Sequence, residues 1–206
     1  AVLDSSPDSA TLETSETIAN PVLLGEDVLA VDFDIPIGGT ALRSWGWNEF
    51  GQLGDSTHTN RELHVPVVRA NHVRSIAGGS RHSLALMSDG TVLAWGANDA
   101  GQLGDGTTAD RSVPVPVLSF NGNIPLGNIR AVAAGENYSL AISSDGRLFG
   151  WGMNSHGQLG AQIARDGVQT RVAVISSDLF KSVAAGDYHV VGLKGNGDVV
   201  TWGNNE

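Results

Sequence analysis

Most of the side chains in this 206-residue chain that could bind a metal ion or transfer a proton are scattered along the sequence. Three ring-bearing polar residues share one position of an internal repeat, where they could hold a metal or ligand between them: His82, Tyr138 and His189. His58 and His64 stand in one polar stretch, at a spacing that fits no standard zinc site. Residues 105–110 begin like a calcium loop but lack its closing glutamate. We therefore expect neither a metal nor a cofactor.

Catalytic motifs are missing from the sequence. It contains no Gly-x-Ser-x-Gly, no His-Glu-x-x-His and no glycine-rich phosphate loop followed by Lys-Ser or Lys-Thr. It also contains no cysteine, which excludes disulfides and cysteine-based zinc sites. The sequence therefore favours a protein that is not an enzyme, with no catalytic residues.

The net charge of −10 is concentrated near the N-terminus. Residues 1–44 have a net charge of −7 and the remaining residues only −3, and no basic stripe is available to neutralise phosphates. No apolar run approaches the roughly 20 residues of a membrane span. We expect neither nucleic-acid binding nor a membrane span. The first residue, Ala1, the lack of cysteine and the few lysines favour a secreted or cell-envelope bacterial protein.

A sequence repeat provides the elements that must position these residues. A tryptophan-glycine pair recurs at spacings of 50, 56 and 51 residues. The pairs are Trp45-Gly46, Trp95-Gly96, Trp151-Gly152 and Trp202-Gly203. The first three continue into Asn-x-x-Gly-Gln-Leu-Gly. Each ring-bearing residue follows a glycine that lies 16 residues before the next tryptophan, so the three positions are equivalent.

The pattern of apolar residues predicts β structure in every repeat. Two alternating apolar runs flank Asp89-Gly90, which is a strong hairpin signal, and the later repeats have similar turns. A third apolar run precedes each hairpin. Before this third run comes a fourth, such as 113–117, in which prolines predict an edge strand. Four-stranded antiparallel units repeated about every 50 residues indicate the blades of a β-propeller. We expect the indoles to anchor blade contacts, and the Asn-x-x-Gly-Gln-Leu-Gly run to lead to the next blade.

These motifs resemble the repeats of the regulator of chromosome condensation family over about residues 45–206. The pattern is Trp-Gly-x-Asn-x-x-Gly-Gln-Leu-Gly together with Ala-Gly-x-x-x-(His/Tyr)-Ser-Leu-Ala. The resemblance implies a seven-bladed ring, of which this chain would supply about half, because seven such repeats need roughly 350 residues. It also implies that His82 and its equivalents tie blade turns together by hydrogen bonds.

The predicted domain organisation is an acidic Ser/Thr-rich leader or linker at 1–27, followed by a partial propeller at 28–206. A divergent half blade at 28–44 precedes repeats that start near 45, 95 and 151, and a fourth begins at 202. The alternative is that the apolar stretch 20–35 provides a strand that completes a blade elsewhere. We expect a longer polypeptide to supply the rest of the ring; a second chain or a second copy of this one are the other options.

The loops differ most between repeats and are the candidate contacts for another protein. The candidate contact residues are Phe120, Ile124, Leu126, Ile163, Arg165 and Arg171. Members of the family that the motifs resemble serve as exchange factors, protein inhibitors and interaction modules. We therefore expect a non-enzymatic scaffold that binds a partner protein through its loops or one face. The alternatives are a guanine-nucleotide exchange factor or regulator of a small GTPase and, less favoured, a secreted enzyme acting on glycans.

Overall fold

The computed structural model describes residues 18–24, 27–32, 41–122, 124–160 and 168–206. Within these ranges the chain forms β-strands and turns, with no helix, and all the strand pairings are antiparallel. The strands are β1 (Ile18–Leu24), β2 (Asp27–Asp32), β3 (Ala41–Gly46), β4 (Arg61–Asn71), β5 (Val73–Gly78), β6 (His82–Met87), β7 (Val92–Gly96), β8 (Arg111–Pro116), β9 (Ile129–Ala134), β10 (Tyr138–Ser143), β11 (Arg147–Met153), β12 (Val168–Ala185), β13 (His189–Lys194) and β14 (Val199–Gly203). Across the described part of the chain, no helix has the length and hydropathy needed to cross a bilayer.

The strands are arranged in four consecutive blades. Blade 1 is the sheet β1-β2-β3-β4, and blade 2 is the sheet β5-β6-β7-β8. Blade 3 comprises β9, β10, β11 and the first part of β12, and blade 4 comprises the rest of β12 with β13 and β14. The predicted all-β fold, a propeller of four-stranded antiparallel blades, is confirmed.

Blade 1 begins earlier than the sequence analysis predicted. Strand β1 lies inside the stretch assigned to a leader, and it pairs with β2 from Ile18↔Asp32 to Leu24↔Asp27. The divergent stretch therefore belongs to a four-stranded blade, not a half blade. The two apolar runs at 22–24 and 28–31 were the available signal, and the acidic composition of the preceding residues outweighed it in the prediction.

The proline-bearing strands lie at blade edges, but each closes the blade that precedes it. Strand β8 pairs with β7, where Gly96 lies opposite Arg111. The Asn-x-x-Gly-Gln-Leu-Gly run therefore connects two strands of one blade, and the prediction that it leads to the next blade was wrong. The reason is that Asn98 folds this run into a closed turn, so the chain returns alongside the strand it has just left.

Consecutive blades meet along three seams, each filled by one apolar cluster. The first seam, between blades 1 and 2, contains Leu42 and Trp95. The second seam, between blades 2 and 3, contains Leu84 and Trp151. The third seam, between blades 3 and 4, contains Leu140, with Trp202 packed against it. The core of the protein therefore lies between the sheets, as a propeller requires.

Candidate protein-binding surface

The motif tryptophans of blades 2, 3 and 4 are each bonded to the loop of the blade before them. The indole nitrogen of Trp95 donates to the Gln52 carbonyl at 2.8 Å. Trp151 makes the same bond to Gln102 at 2.8 Å, and Trp202 makes it to Gln158 at 2.9 Å. The glycine after each of these tryptophans has a positive φ, between 101° and 108°, in the region that favours glycine. The tryptophan-glycine pairs thus fix the seams and leave the loops to vary.

Two of the three ring-bearing residues at the shared repeat position, His82 and Tyr138, also form bonds across the seams. His82 is buried, and its Nε2 lies 2.8 Å from the Ser139 hydroxyl of the next blade. That hydroxyl donates to the Gln102 carbonyl, so the imidazole is the donor to the serine oxygen. Tyr138 donates its hydroxyl proton between two carbonyls of blade 4, at 2.8 Å and 2.7 Å. His189, in the last blade, is exposed.

Burial keeps His82 neutral. Desolvation, assisted by the neighbouring Arg81 charge, lowers the pKa of His82 to about 3. Burial likewise raises the pKa of the Tyr138 hydroxyl, with a further contribution from the charge of Asp187. Among the described residues, no group of three or more His, Asp or Glu side chains is placed to hold a metal ion. The His82 and Tyr138 rings act in the structure as hydrogen-bonding groups between blades.

Equivalent loops of three consecutive blades surround a cavity of about 440 Å³. Its lining includes Ser80, Glu136 and Asp187, which occupy one repeat position, and the loops are linked by backbone bonds of 3.3 Å. The phenol of Tyr188 also lines it, and a hydrogen bond with Glu136 raises the pKa of that phenol. The sequence analysis predicted no site at these residues. The acidic side chains of Glu136 and Asp187, at the same position of successive repeats, were the signal that could have identified one.

An insertion between blades 2 and 3 forms a compact hairpin, described at residues 118–122 and 124–126, which we call the 118–126 hairpin. Leu118 pairs with Pro125, and the Gly122 nitrogen donates to the Ser119 carbonyl at 2.7 Å, closing a tight turn. Phe120 is 70% exposed and Ile124 is 61% exposed. The backbone bonds therefore hold two large apolar side chains in water on one turn.

The other predicted contact residues have different positions. Leu126 was expected to be exposed, but its side chain is buried in the second seam, so its assignment as a contact residue was wrong. It is apolar and follows Pro125 directly, and it anchors the base of the hairpin. Ile163 and Arg165 lie outside the described residues, as does the side chain of Arg171.

The last blade has an uncovered face. Val191 and Val199 are 37% and 65% exposed. The residues at the same repeat positions in blade 3, Leu140 and Leu148, are fully buried because blade 4 covers them. This open face of blade 4 carries apolar residues at the positions that line a seam in blade 3, but here they are exposed.

The sequence patterns of these seams match a described repeat. The Regulator of chromosome condensation (RCC1) repeat matches residues 43–86 and 89–142, and a second pattern of the same description matches 73–102, 129–158 and 180–206. The chain belongs to the RCC1 repeat family. The family predicted from the sequence is thus confirmed.

Relatives of this RCC1 repeat chain differ widely in what their names describe. It is 35% identical over 168 residues to the Ultraviolet-B receptor UVR8 of Arabidopsis thaliana, covering 80% of this chain and 37% of that protein. It is 33% identical over 168 residues to the Secretion-regulating guanine nucleotide exchange factor of Bos taurus, covering 78% of this chain and 36% of the relative. The chain thus spans little more than a third of these two relatives.

A solved structure of the family gives a similar result. Yeast RCC1 (Prp20), whose structure was solved bound to Kap60, superposes with a TM-score of 0.73 at 28% identity. The match covers 92% of this chain and 44% of Prp20. The RCC1 repeat chain therefore corresponds to part of a longer propeller in that protein.

Proposed function

We propose that this chain is a non-catalytic protein-binding part of an RCC1-type propeller, and that the 118–126 hairpin is its contact surface. The observation that carries the proposal is the exposure of Phe120 and Ile124 on a turn whose base is fixed by buried Leu126. Aromatic and aliphatic side chains on an anchored turn lose little conformational freedom on binding, and aromatic residues are enriched in protein interfaces.

The open face of blade 4 supports a second part of this proposal. At the three seams, this kind of face is covered by the next blade, which presents a tryptophan and a small residue such as Ala141. We propose that a further blade of the same repeat type, from the same polypeptide, covers Val191 and Val199. The match to less than half of Prp20 supports this arrangement. A second chain is the alternative occupant.

A second candidate function is nucleotide exchange on a small GTPase. Two relatives carry that activity in their names: the bovine exchange factor and the Guanine nucleotide exchange factor SRM1 of Saccharomyces cerevisiae, which is 32% identical over 83 residues. Incubation of this chain with small GTPases carrying labelled GDP tests the activity directly. Accelerated GDP release from one GTPase would establish it, and unchanged release across a panel would eliminate it.

The contact surface is tested by a paired substitution. The double variant Phe120→Ser, Ile124→Ser and the wild-type chain are used as bait, and proteins recovered with each are quantified by mass spectrometry. The matched control is Leu63→Ser, since Leu63 is 81% exposed on β4, away from the hairpin. We expect a partner that is lost with the double variant and retained with the control. Equal recovery with all three chains would refute the hairpin as the contact. A secreted or cell-envelope location stays a prediction.

A further inference from the structure

In each of the first two seams, one apolar side chain comes from the stretch between two equivalent repeat positions, which is 68–72 after Val67 and 118–128 after Val117. At the first seam this residue is Ala70, which is 1% exposed and packs with Val67 and Trp95. At the second seam it is Leu126, which is 5% exposed and packs with Trp151. The two segments differ in length, yet both place an aliphatic group beside the tryptophan.

Among the described residues, the third seam has no such side chain. The equivalent stretch after Ile175 is 176–179; it lies inside strand β12 and is the shortest of the three, and its one large apolar residue, Leu179, is 54% exposed. A cavity of about 230 Å³ remains, and the apolar side chains that line it in the described part of the chain are Ile175, Phe180, Val200 and Trp202. An apolar cavity of roughly 150 Å³ can hold a benzene ring, so this one has room for an aliphatic side chain.

The edge of this cavity is polar. Lys194 and Asp178 form an ion pair at 2.7 Å, and both line the cavity and a second opening of about 350 Å³ beside it. Leu179 lies in that second opening. An apolar centre with a charged edge is the usual arrangement of a binding surface for a protein segment.

We propose that the cavity at the third seam binds a leucine or isoleucine side chain from an extended segment of a partner protein. This inference rests on the proposed protein-binding function and locates a second contact for it. The occupant takes the place that Leu126 has at the second seam. An apolar occupant is favoured because the Trp202 indole already donates to Gln158 at 2.9 Å and offers no donor to a polar ligand.

A peptide copied from the chain itself tests the proposal. The probe is the synthetic peptide of residues 118–128, and its matched control is the same peptide with Leu126→Ser. Binding to the ¹⁵N-labelled chain is followed through the Trp202 indole resonance, which is assigned with the variant Trp202→Phe. Burial of a leucine side chain is worth roughly 1.5–3 kcal/mol, so we expect the control peptide to bind about tenfold more weakly or worse.

Variants of the cavity complete the test. Val200 occupies the repeat position of Leu93 and Phe149, so Val200→Leu and Val200→Phe fill the cavity with residues that earlier blades already carry. Both should weaken peptide binding, Phe more than Leu, while Val199→Ser on the open face should not. Circular dichroism checks that each variant folds. Equal titration by both peptides, or no shift of the Trp202 resonance, would overturn the proposal.

The failure of this inference can be told apart from failure of the proposed function. If the double variant Phe120→Ser, Ile124→Ser loses a partner but the peptide does not bind, only the third-seam site is wrong. If the peptide binds and no partner depends on the hairpin, the site stands and the hairpin is not the contact.

Discussion

Trp151 donates its indole N–H to the carbonyl of Gln102, which lies 2.8 Å away in the preceding blade and 49 residues earlier in the chain. The same indole is fully buried in the second seam. One side chain therefore both fills a seam and bonds across it. Without this bond the indole nitrogen would be buried with no hydrogen-bond partner, which would cost about 1–3 kcal/mol.

Two substitutions of Trp151 should distinguish the contribution of its hydrogen bond from that of its packing. Trp151→Phe removes the bond to Gln102 and part of the packing, and we expect it to lower the free energy of unfolding by about 1–3 kcal/mol. Trp151→Ala should cost about 3–5 kcal/mol because it leaves a cavity. Urea unfolding followed by circular dichroism measures both. The control is Trp47→Phe, since Trp47 is only partly buried. A loss as large for this control as for Trp151→Phe would contradict the special role of Trp151.

Alanine substitutions at two nearby glycines should distinguish the stability lost to steric contact from the stability lost to backbone strain. Gly104 and Gly106 both have positive φ, at 64° and 81°. A Cβ at Gly104 would lie 2.8 Å from the Trp151 indole nitrogen, whereas a Cβ at Gly106 would meet nothing within 4 Å. We expect Gly106→Ala to cost about 1 kcal/mol through strain alone, and Gly104→Ala to cost roughly 1–3 kcal/mol more through overpacking. Equal losses in thermal unfolding would show that the seam tolerates the added methyl group.

His82 should make the stability of the protein depend on pH below neutrality. Its pKa is about 3 in the folded state, against about 6.5 when exposed, so unfolding takes up a proton. The contribution of neutral His82 to the free energy of unfolding is fully present above about pH 6.5. It is lost as the pH falls towards 3, by up to about 1.4 kcal/mol per pH unit. We expect His82→Gln to reduce this slope, measured by urea unfolding between pH 7 and 4.

A control for His82 is provided by its hydrogen-bond partner. Ser139→Ala removes the hydroxyl 2.8 Å from the imidazole but leaves the titrating group in place. This variant should lose stability by a similar amount at every pH. If His82→Gln keeps the full wild-type slope, the neutral buried imidazole is not its source.

Asn98 should be essential to the loop that returns the chain from β7 to β8. Its amide nitrogen donates to the Asp105 carboxylate and to the Thr107 and Ala109 carbonyls, at 3.0–3.2 Å, and its oxygen accepts from the Leu103 nitrogen at 2.9 Å. We expect Asn98→Ala to cost about 2–4 kcal/mol, since the fully buried Asn98 amide closes the loop and the buried Leu103 nitrogen loses its acceptor.

A second asparagine tests whether this effect is specific. Asn121, at the exposed tip of the 118–126 hairpin, is the matched position, and Asn121→Ala should change the free energy of unfolding by less than about 0.5 kcal/mol. Hydrogen exchange of the Leu103 amide reports the loop directly. Unchanged protection of that amide in Asn98→Ala would contradict the assignment.

The sequence predicted the blades because local signals agree with the final pairing. Asp89 and Gly90 form the turn expected between β6 and β7, with the Thr91 amide bonded to the Asp89 carboxylate at 2.9 Å. The pairing of β8 was not predictable in the same way. It depends on Asn98 closing its loop through contacts 7 to 11 residues away, and the sequence pattern alone does not rank that closure above a connection to the next blade.

The candidate surface was predicted only in part. Exposure of Phe120 and Ile124 follows from their place in an insertion, but Leu126 is an apolar residue of the same insertion and is buried. Its burial depends on the space between Val117 and Trp151, which belong to two different repeats. The cavity at the third seam is harder still to foresee, because it arises from a side chain that one segment lacks and its equivalents possess.

Strand β12 runs without a break for 18 residues, pairing first with β11 and then with β13. Blades 3 and 4 therefore share one continuous backbone, whereas blades 2 and 3 are joined by the 118–126 hairpin. Under tension applied between the chain ends, blades 3 and 4 should yield together as one mechanical unit. The 118–126 hairpin can extend first, so the connection between blades 2 and 3 should deform at a lower force than the pair of blades 3 and 4.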